Sequence, residues 1–342
     1  MSLTSSVLNG DRLALARLLT QVENDSPEGR AALAELFPHT GRAHLIGVTG
    51  APGTGKSSLV NQLALYYRRQ EGKKVAITAV DPSSPFTGGA VLGDRVRMKD
   101  LSGDPDVFIR SMASRGSLGG LAHATAGIVQ VFDAAGYEII FIETVGAGQS
   151  EVDIARLAHT TLVVEAPGLG DDIQAIKAGI LEIADILVVN KADRPGAENT
   201  VKALKSMLEL AHPARRVFRH HGTYMSAAAT SSPLPSGEGE GDDGEIWIPP
   251  IVKTVSTEPQ GMDELAAQIA RHGKHLRLSG DWAARERARL ESELNALLQE
   301  ALIRQFRERI PEKEMSRVMS RVFERNLSPL DAVKLLTNGG PK

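Results

Sequence analysis

The chain has 342 residues, 39 basic and 42 acidic side chains, a net charge of −3 and 42% hydrophobic content. That is long enough for a main domain with helical additions around a sizeable core, and the near-balanced charge argues against a nucleic-acid or anionic-membrane surface. The absence of cysteine excludes disulfides, thiolate metal sites and cysteine nucleophiles. With no basic-then-apolar leader and no run near the roughly 18 apolar residues of a membrane helix, the expectation is a cytoplasmic protein.

Leu13, Leu15, Leu18 and Leu19, then Ala32, Leu33 and Leu36, recur at helical spacing and predict a helical extension over 1–40, broken near Asn24–Pro27. From His44 the texture changes to short β-branched runs at 44–50, 74–81, 106–112, 137–146, 160–166 and 184–193, mostly separated by helical patterns. Near-continuous apolar strands are buried on both faces. The fold class expected is therefore α/β, with a mostly parallel sheet flanked by helices over 41–275, binding its ligand at the carboxyl ends of the strands. Residues 222–245, rich in Ser, Gly, Pro and acid, cannot bury enough apolar surface to order themselves and are read as a disordered surface insertion. A last strand is expected at 247–256.

Residues 276–342 return to helix. Leu290, Leu294, Leu297, Leu298, Ala301, Leu302 and Phe306 form one stripe ended by Pro311. A further helix carries Met315, Val318, Met319, Val322 and Phe323, and Ser328 is a candidate N-cap with Pro329 in the first helical position. Packing on the chain's own core and a dimerisation arm are both open on these residues.

Residues Gly50, Ala51, Pro52, Gly53, Thr54, Gly55, Lys56 and Ser57, followed by Ser58, fit G-x-x-x-x-G-K-[ST] between a strand and a helix, which makes this a P-loop NTPase. The glycines let backbone N–H groups turn inward around a phosphate, and the helix N-terminus adds partial positive charge. Lys56 is expected to reach the β- and γ-phosphates and the Ser57 hydroxyl to bind Mg²⁺. At 190–193, Asn190-Lys191-Ala192-Asp193 closes another strand. The Asp193 carboxylate can accept N1–H and the N2 amine of guanine, a donor pair adenine lacks. The Lys191 stem can lie along the base, and Asn190 can tie this loop to the phosphate loop. An exposed polar turn is the alternative, but with a phosphate loop upstream the pair of motifs favours GTP over ATP.

Three carboxylates sit where a metal site would need them: Asp81 at a strand end, Asp94 in GGAVLGDRVRM, and Glu143 after a very apolar strand, as a Walker-B-type group would be. Loop capping is the alternative for Asp81 and Asp94. The Gly146 amide is placed to bond the γ-phosphate. Where a Ras-like enzyme would have Gln next, Ala147 follows, so no water-positioning residue is assigned and slow hydrolysis without a partner is expected.

VDPSSPFTGGAVLGDRVRM, ETVGAGQSE, PGLGDDIQAIKAGILEIAD and NKAD together resemble the MeaB/ArgK GTPases, called methylmalonic aciduria type A protein in animals, from about residue 10 to 215 and again near 247. The resemblance implies a GTP/GDP- and Mg²⁺-dependent chaperone of an adenosylcobalamin-dependent acyl-CoA mutase, typically methylmalonyl-CoA mutase. Such a protein gates cofactor delivery, protects the mutase, and is a homodimer joined through the C-terminal helical arm. It implies metal and switch roles for Ser57, Asp81, Asp94 and Glu143, and a further switch at 167–180 with Asp171, Asp172 and Lys177. Lys56, Glu143, Asp94 and Lys177 are the catalytic candidates. Two departures stand out: the 222–245 insertion, and a last base-contacting loop that usually resembles T-S-A but here reads Thr254-Val255-Ser256-Thr257, of which Val255, Ser256 and Thr257 are candidate base contacts. A metallochaperone GTPase would carry His- or Cys-rich tracts, whereas only the His220–His221 pair is present. A small-molecule P-loop kinase would recruit Arg95, Arg97, Arg110 and Arg115 and leave N-K-A-D unexplained.

Overall fold

The computed structural model describes residues 2–82, 98–101, 103–114, 120–144, 150–168, 182–211, 218–220, 223–225 and 247–337. Asp94, Arg95, Arg97, Arg115, Gly146, Asp171, Asp172, Lys177 and most of the 222–245 segment lie outside them, and for Asp81 the backbone alone is described.

Nine strands are described: β1 His44–Thr49, β2 Val75–Pro82, β3 Val107–Ser114, β4 Ile139–Thr144, β5 Thr160–Glu165, β6 Ile186–Asn190, β7 Phe218–His220, β8 Thr223–Met225 and β9 Ile251–Thr254. Seven form a parallel sheet in the order β3-β2-β4-β1-β5-β6-β9. The chain goes from β1 out through β2 to β3, returns to β4 beside β1, and then runs outward through β5, β6 and β9 on the other side, so β1 ends at the crevice where α/β sheets bind ligands. Every strand of the sheet lies within or beside a segment read from the sequence. The last is shorter than 247–256, because Pro249 and Pro250 cannot donate to a ladder. Thr223–Met225, inside the segment read as disordered, pairs antiparallel with Phe218–His220, so His220 is a strand residue.

The described helices are α1 Leu3–Leu8, α2 Arg12–Glu23, α3 Pro27–Leu36, α4 Lys56–Glu71, α5 Gly120–Ala134, α6 Ser150–Leu157, α7 Ala197–Ala211, α8 Met262–Ser279, α9 Asp281–Arg309, α10 Glu312–Phe323 and α11 Pro329–Thr337. Ser26 caps α3 with Pro27 at its first position, and Ser328 Oγ accepts the Asp331 amide at the start of α11. The N-terminal helices complete the core on one sheet face: Leu15, Leu18, Leu19 and Val22 are buried with Ala76, Phe108 and Phe132. The other face buries Leu59, Leu63 and Tyr67 of α4 and Leu265 and Ile269 of α8 against Ile46, Ile77 and Phe141.

Two compact units are distinguished, Met1–Arg289 and Leu290–Lys342. In the second, Val318 and Ala332 are buried while Leu294, Leu298, Leu302, Ile303, Met319 and Phe323 are exposed, Phe323 at 88%. Among the described residues no helix is long and apolar enough to cross a membrane.

At the amino ends of the strands, opposite the crevice, lies a buried polar network that the sequence did not announce. His44 Nε2 meets Thr160 Oγ1 at 2.7 Å, Thr160 Oγ1 meets His272 Nδ1 at 2.9 Å, and Asp185 takes both Arg285 nitrogens at 2.9 and 2.8 Å. His159 Nδ1 accepts the Leu45 amide at 3.0 Å, so its Nε2 carries the proton and donates to Glu286 Oε1 at 2.6 Å. The same ring stacks on Trp282 with centroids 3.8 Å apart. Burial holds the His44 and His159 pKa values below the ordinary histidine range. Burial would raise the Asp185 and Glu286 carboxyls. Hydrogen bonds from Arg285 and His272 outweigh it at Asp185, and those from His159 and Arg289 at Glu286, holding each at about 2.

These shifts share one sign. Each folded pKa lies below its unfolded value, so the unfolded chain binds more protons between the two and stability falls as pH falls. Urea midpoints are expected to decline from about pH 6.5 downward as the histidines charge in the unfolded chain. Between about pH 5 and pH 2 a further loss on the order of 2 kcal/mol per carboxylate is expected. A midpoint constant from pH 7.5 to 5 would contradict the histidine assignment.

Candidate functional site

The phosphate loop follows β1 directly. Gly50 has φ +139°, and a Cβ there would run into the Val164 carbonyl of β5, so no other residue fits. Gly55 (φ +92°) leads into α4 with no side-chain cap, and a Cβ there would stand 2.5 Å from Asn190 Nδ2. The first amides of α4 are thus left for a ligand at the positive end of the helix. Thr54 is buried and its hydroxyl donates to Ala51 O at 2.9 Å, whereas Ala51, Pro52, Gly53 and Ser58 are exposed. Lys56, only 5% exposed, spans the loop: Nζ donates to Gly50 O at 2.8 Å and Ala51 O at 3.0 Å.

Glu143 is the penultimate residue of β4, whose register sets it beside Val48 of β1. There Ser57 Oγ donates to Glu143 Oε1 at 2.5 Å, so the two residues picked for metal binding converge although they are 86 positions apart. A hydroxyl and a carboxylate make a hard oxygen pair of the kind Mg²⁺ takes, and that ion needs only one or two protein ligands. Asp81 is the penultimate residue of β2, level with Ala113 of β3. Among the described residues no group of three or more His, Cys, Asp or Glu side chains forms a metal cage.

Asn190, at the end of β6, is 1% exposed and joins three loops. Its Nδ2 donates to Thr54 O at 2.8 Å, and its Oδ1 accepts from Ser256 Oγ at 2.8 Å, Ser256 N at 3.3 Å and Thr254 Oγ1 at 3.2 Å. The tie between the N-K-A-D loop and the phosphate loop expected from sequence is therefore present. Thr254 was missed, because a threonine at a strand end gives no sign that its hydroxyl turns to a side chain 64 positions away. Lys191 adopts φ +57°, uncommon for a residue with a side chain, and its Nζ donates to Gly53 O at 2.5 Å. Its stem thus crosses the edge of the phosphate loop. Ala192 N donates to Thr254 O at 3.1 Å, leaving Asp193 exposed at the rim. Val255 and Ser256 are buried and Thr257 is exposed.

The model of the family described as methylmalonyl Co-A mutase-associated GTPase MeaB matches residues 15–310. The chain belongs to the MeaB family. A relative from Pyrococcus horikoshii is 44% identical over 327 residues, covering 96% of this chain and 94% of that one. The Escherichia coli GTPase ArgK is 35% identical, covering 79% and 75% of the two chains. The mitochondrial methylmalonic aciduria type A homolog of Caenorhabditis elegans is 31% identical, covering 84% and 69%. A crystal structure described as a LAO/AO transport system kinase superposes with a TM-score of 0.66 at 26% identity, covering 98% of this chain and 95% of that one. As a MeaB-family member the chain is a GTP hydrolase that binds guanine nucleotide.

Proposed function

We propose that this MeaB-family GTPase is a cytoplasmic chaperone of an adenosylcobalamin-dependent acyl-CoA mutase, typically methylmalonyl-CoA mutase, gating cofactor loading and protecting the mutase. The observation that carries this reading is the match of residues 15–310 to a family described as mutase-associated. The chain acts as a homodimer through its C-terminal helical arm, 276–342. The exposed Leu294, Leu298, Leu302, Ile303, Met319 and Phe323 support this, since apolar side chains in such number mark a surface for another protein.

In GTP hydrolysis to GDP and phosphate, charge spreads over the γ-phosphoryl oxygens. The amides of Gly53, Gly55, Lys56, Ser57 and Ser58 and the Lys56 ammonium meet that charge, with the Gly146 amide bonding the γ-phosphate and Lys177 serving the nucleotide site. Asp193 reads the guanine edge, Lys191 lies along its plane, and Val255, Ser256 and Thr257 form the last wall of the base site. Bound Mg²⁺ would supply further neutralisation of the phosphates, held by Ser57 and Glu143 with Asp81 and Asp94 directly or through water.

Size-exclusion chromatography with purified methylmalonyl-CoA mutase tests the partner. Co-elution that differs between GDP and a non-hydrolysable GTP analogue is expected. No complex with either nucleotide, for this and related acyl-CoA mutases, would overturn the assignment.

A further inference from the structure

Ser57, Asn61, Ala64 and Arg68 recur at i, i+4, i+7 and i+11 along α4 and so share one flank of the helix. Both ends of this flank are pinned. Ser57 Oγ donates to Glu143 Oε1 at 2.5 Å at the carboxyl end of β4, and Arg68 holds Asp104 and Asp106, each at 2.9 Å, ahead of β3. The flank therefore looks across β4, β2 and β3. Asn61 lies between the pinned ends, is 4% exposed, and its Oδ1 has no hydrogen-bond partner among the described residues.

A second buried oxygen without such a partner among the described residues, Ser111 Oγ, lies on the same sheet face, two strands or about 10 Å from Glu143. Ser111 is level with Ala79 of β2, and Ala79 is level with Glu143 of β4. Side chains level with one another in a parallel sheet point to the same face, and Glu143 shows that this is the α4 face. Ala79, the small residue between them, leaves room under the helix. Burying an amide oxygen without a donor is costly, and such groups in folded proteins call for a reason. Helical side chains lean toward the helix N-terminus, so Asn61 leans toward Ser57 and Glu143, one turn or about 6 Å away.

We propose that Asn61, with Ser111, orders water beneath the Ser57–Glu143 pair and so positions the hydration shell of the Mg²⁺ bound there with the nucleotide. The proposal rests on the Mg²⁺ reading above. The chemistry matches: Mg²⁺ keeps several of its waters, those waters donate hydrogen bonds, and the two buried oxygens accept. Asn61 is on this account a positioning residue and touches neither phosphate nor metal.

Asn61→Leu keeps the size of the side chain and removes the acceptor. Two readouts follow: the Mg²⁺ concentration that half-saturates the slowing of fluorescent GDP release, and the thermal midpoint without metal. The Mg²⁺ requirement is expected to rise about tenfold, with GDP affinity in EDTA unchanged and the thermal midpoint not lowered. Asn61→Asp, which keeps an acceptor, is expected to retain the wild-type requirement, and Ser111→Ala to shift it in the same direction by less. An Asn61→Leu protein with the wild-type Mg²⁺ requirement would overturn the proposal, as would an equal rise in Asn61→Asp. Should Asn61→Leu fail to fold, the Ser111→Ala titration decides alone, and an unshifted requirement there overturns it. Wild-type GDP release indifferent to Mg²⁺ would remove the metal reading itself, a distinct outcome.

Discussion

GTP turnover by Lys56→Ala is expected to fall about 10²–10³-fold, the loss that follows removal of one preorganised charge-stabilising group. The ammonium is buried within the loop and bonded to the carbonyls of Gly50 and Ala51, so its position is set before substrate arrives. A charge held this way need not reorganise as negative charge spreads over the γ-phosphoryl oxygens. The substitution leaves the turn intact, because the loop's shape rests on Gly50 against Val164 and on Asn190 against Thr54. Phosphate release at saturating GTP measures the effect, with GDP binding as the control for folding. Turnover within threefold of wild type would remove Lys56 from the chemistry.

Asp193→Asn is expected to weaken GTP binding by about 10²-fold and to reverse the preference toward xanthosine triphosphate. Two hydrogen bonds to a carboxylate are lost, each worth about 1.5–3 kcal/mol. The amide that replaces it can donate to the xanthine O2, which guanine does not offer. The framework is rigid: Lys191 is tied to Gly53, Ala192 to Thr254, and Asn190 to Thr54 and Ser256. The exposed Asp193 can therefore change its chemistry without moving the loop. An unaltered base preference, read by competition of GTP, ATP and xanthosine triphosphate, would contradict the base-reading role.

What was legible in the sequence was whatever is written in consecutive residues. The central strands are buried on both faces, so they read as continuous apolar runs, and the phosphate loop and N-K-A-D are local geometries with fixed glycine and polar positions. Convergence across the fold was legible only in part. The Ser57–Glu143 pair follows once two strand ends are known to be neighbours. The Thr254 hydroxyl on Asn190 does not, nor does the shared face of Asn61 and Ser111, because only strand register and helix rotation set which side chains face each other. The network of His44, His159, Asp185, His272 and Arg285 is drawn from three strand starts and two helices, and no local pattern marks it. In the N-terminal helices the leucine spacing was legible, but the sheet face that Leu18 and Leu19 cover was not.

The most direct test of the whole account is turnover of GTP and of ATP with Mg²⁺, with and without a purified adenosylcobalamin-dependent acyl-CoA mutase. The account predicts turnover selective for GTP, slow for the chain alone and faster with the mutase. GTP turnover indifferent to every such mutase would contradict the chaperone assignment and leave a GTPase acting on a different client.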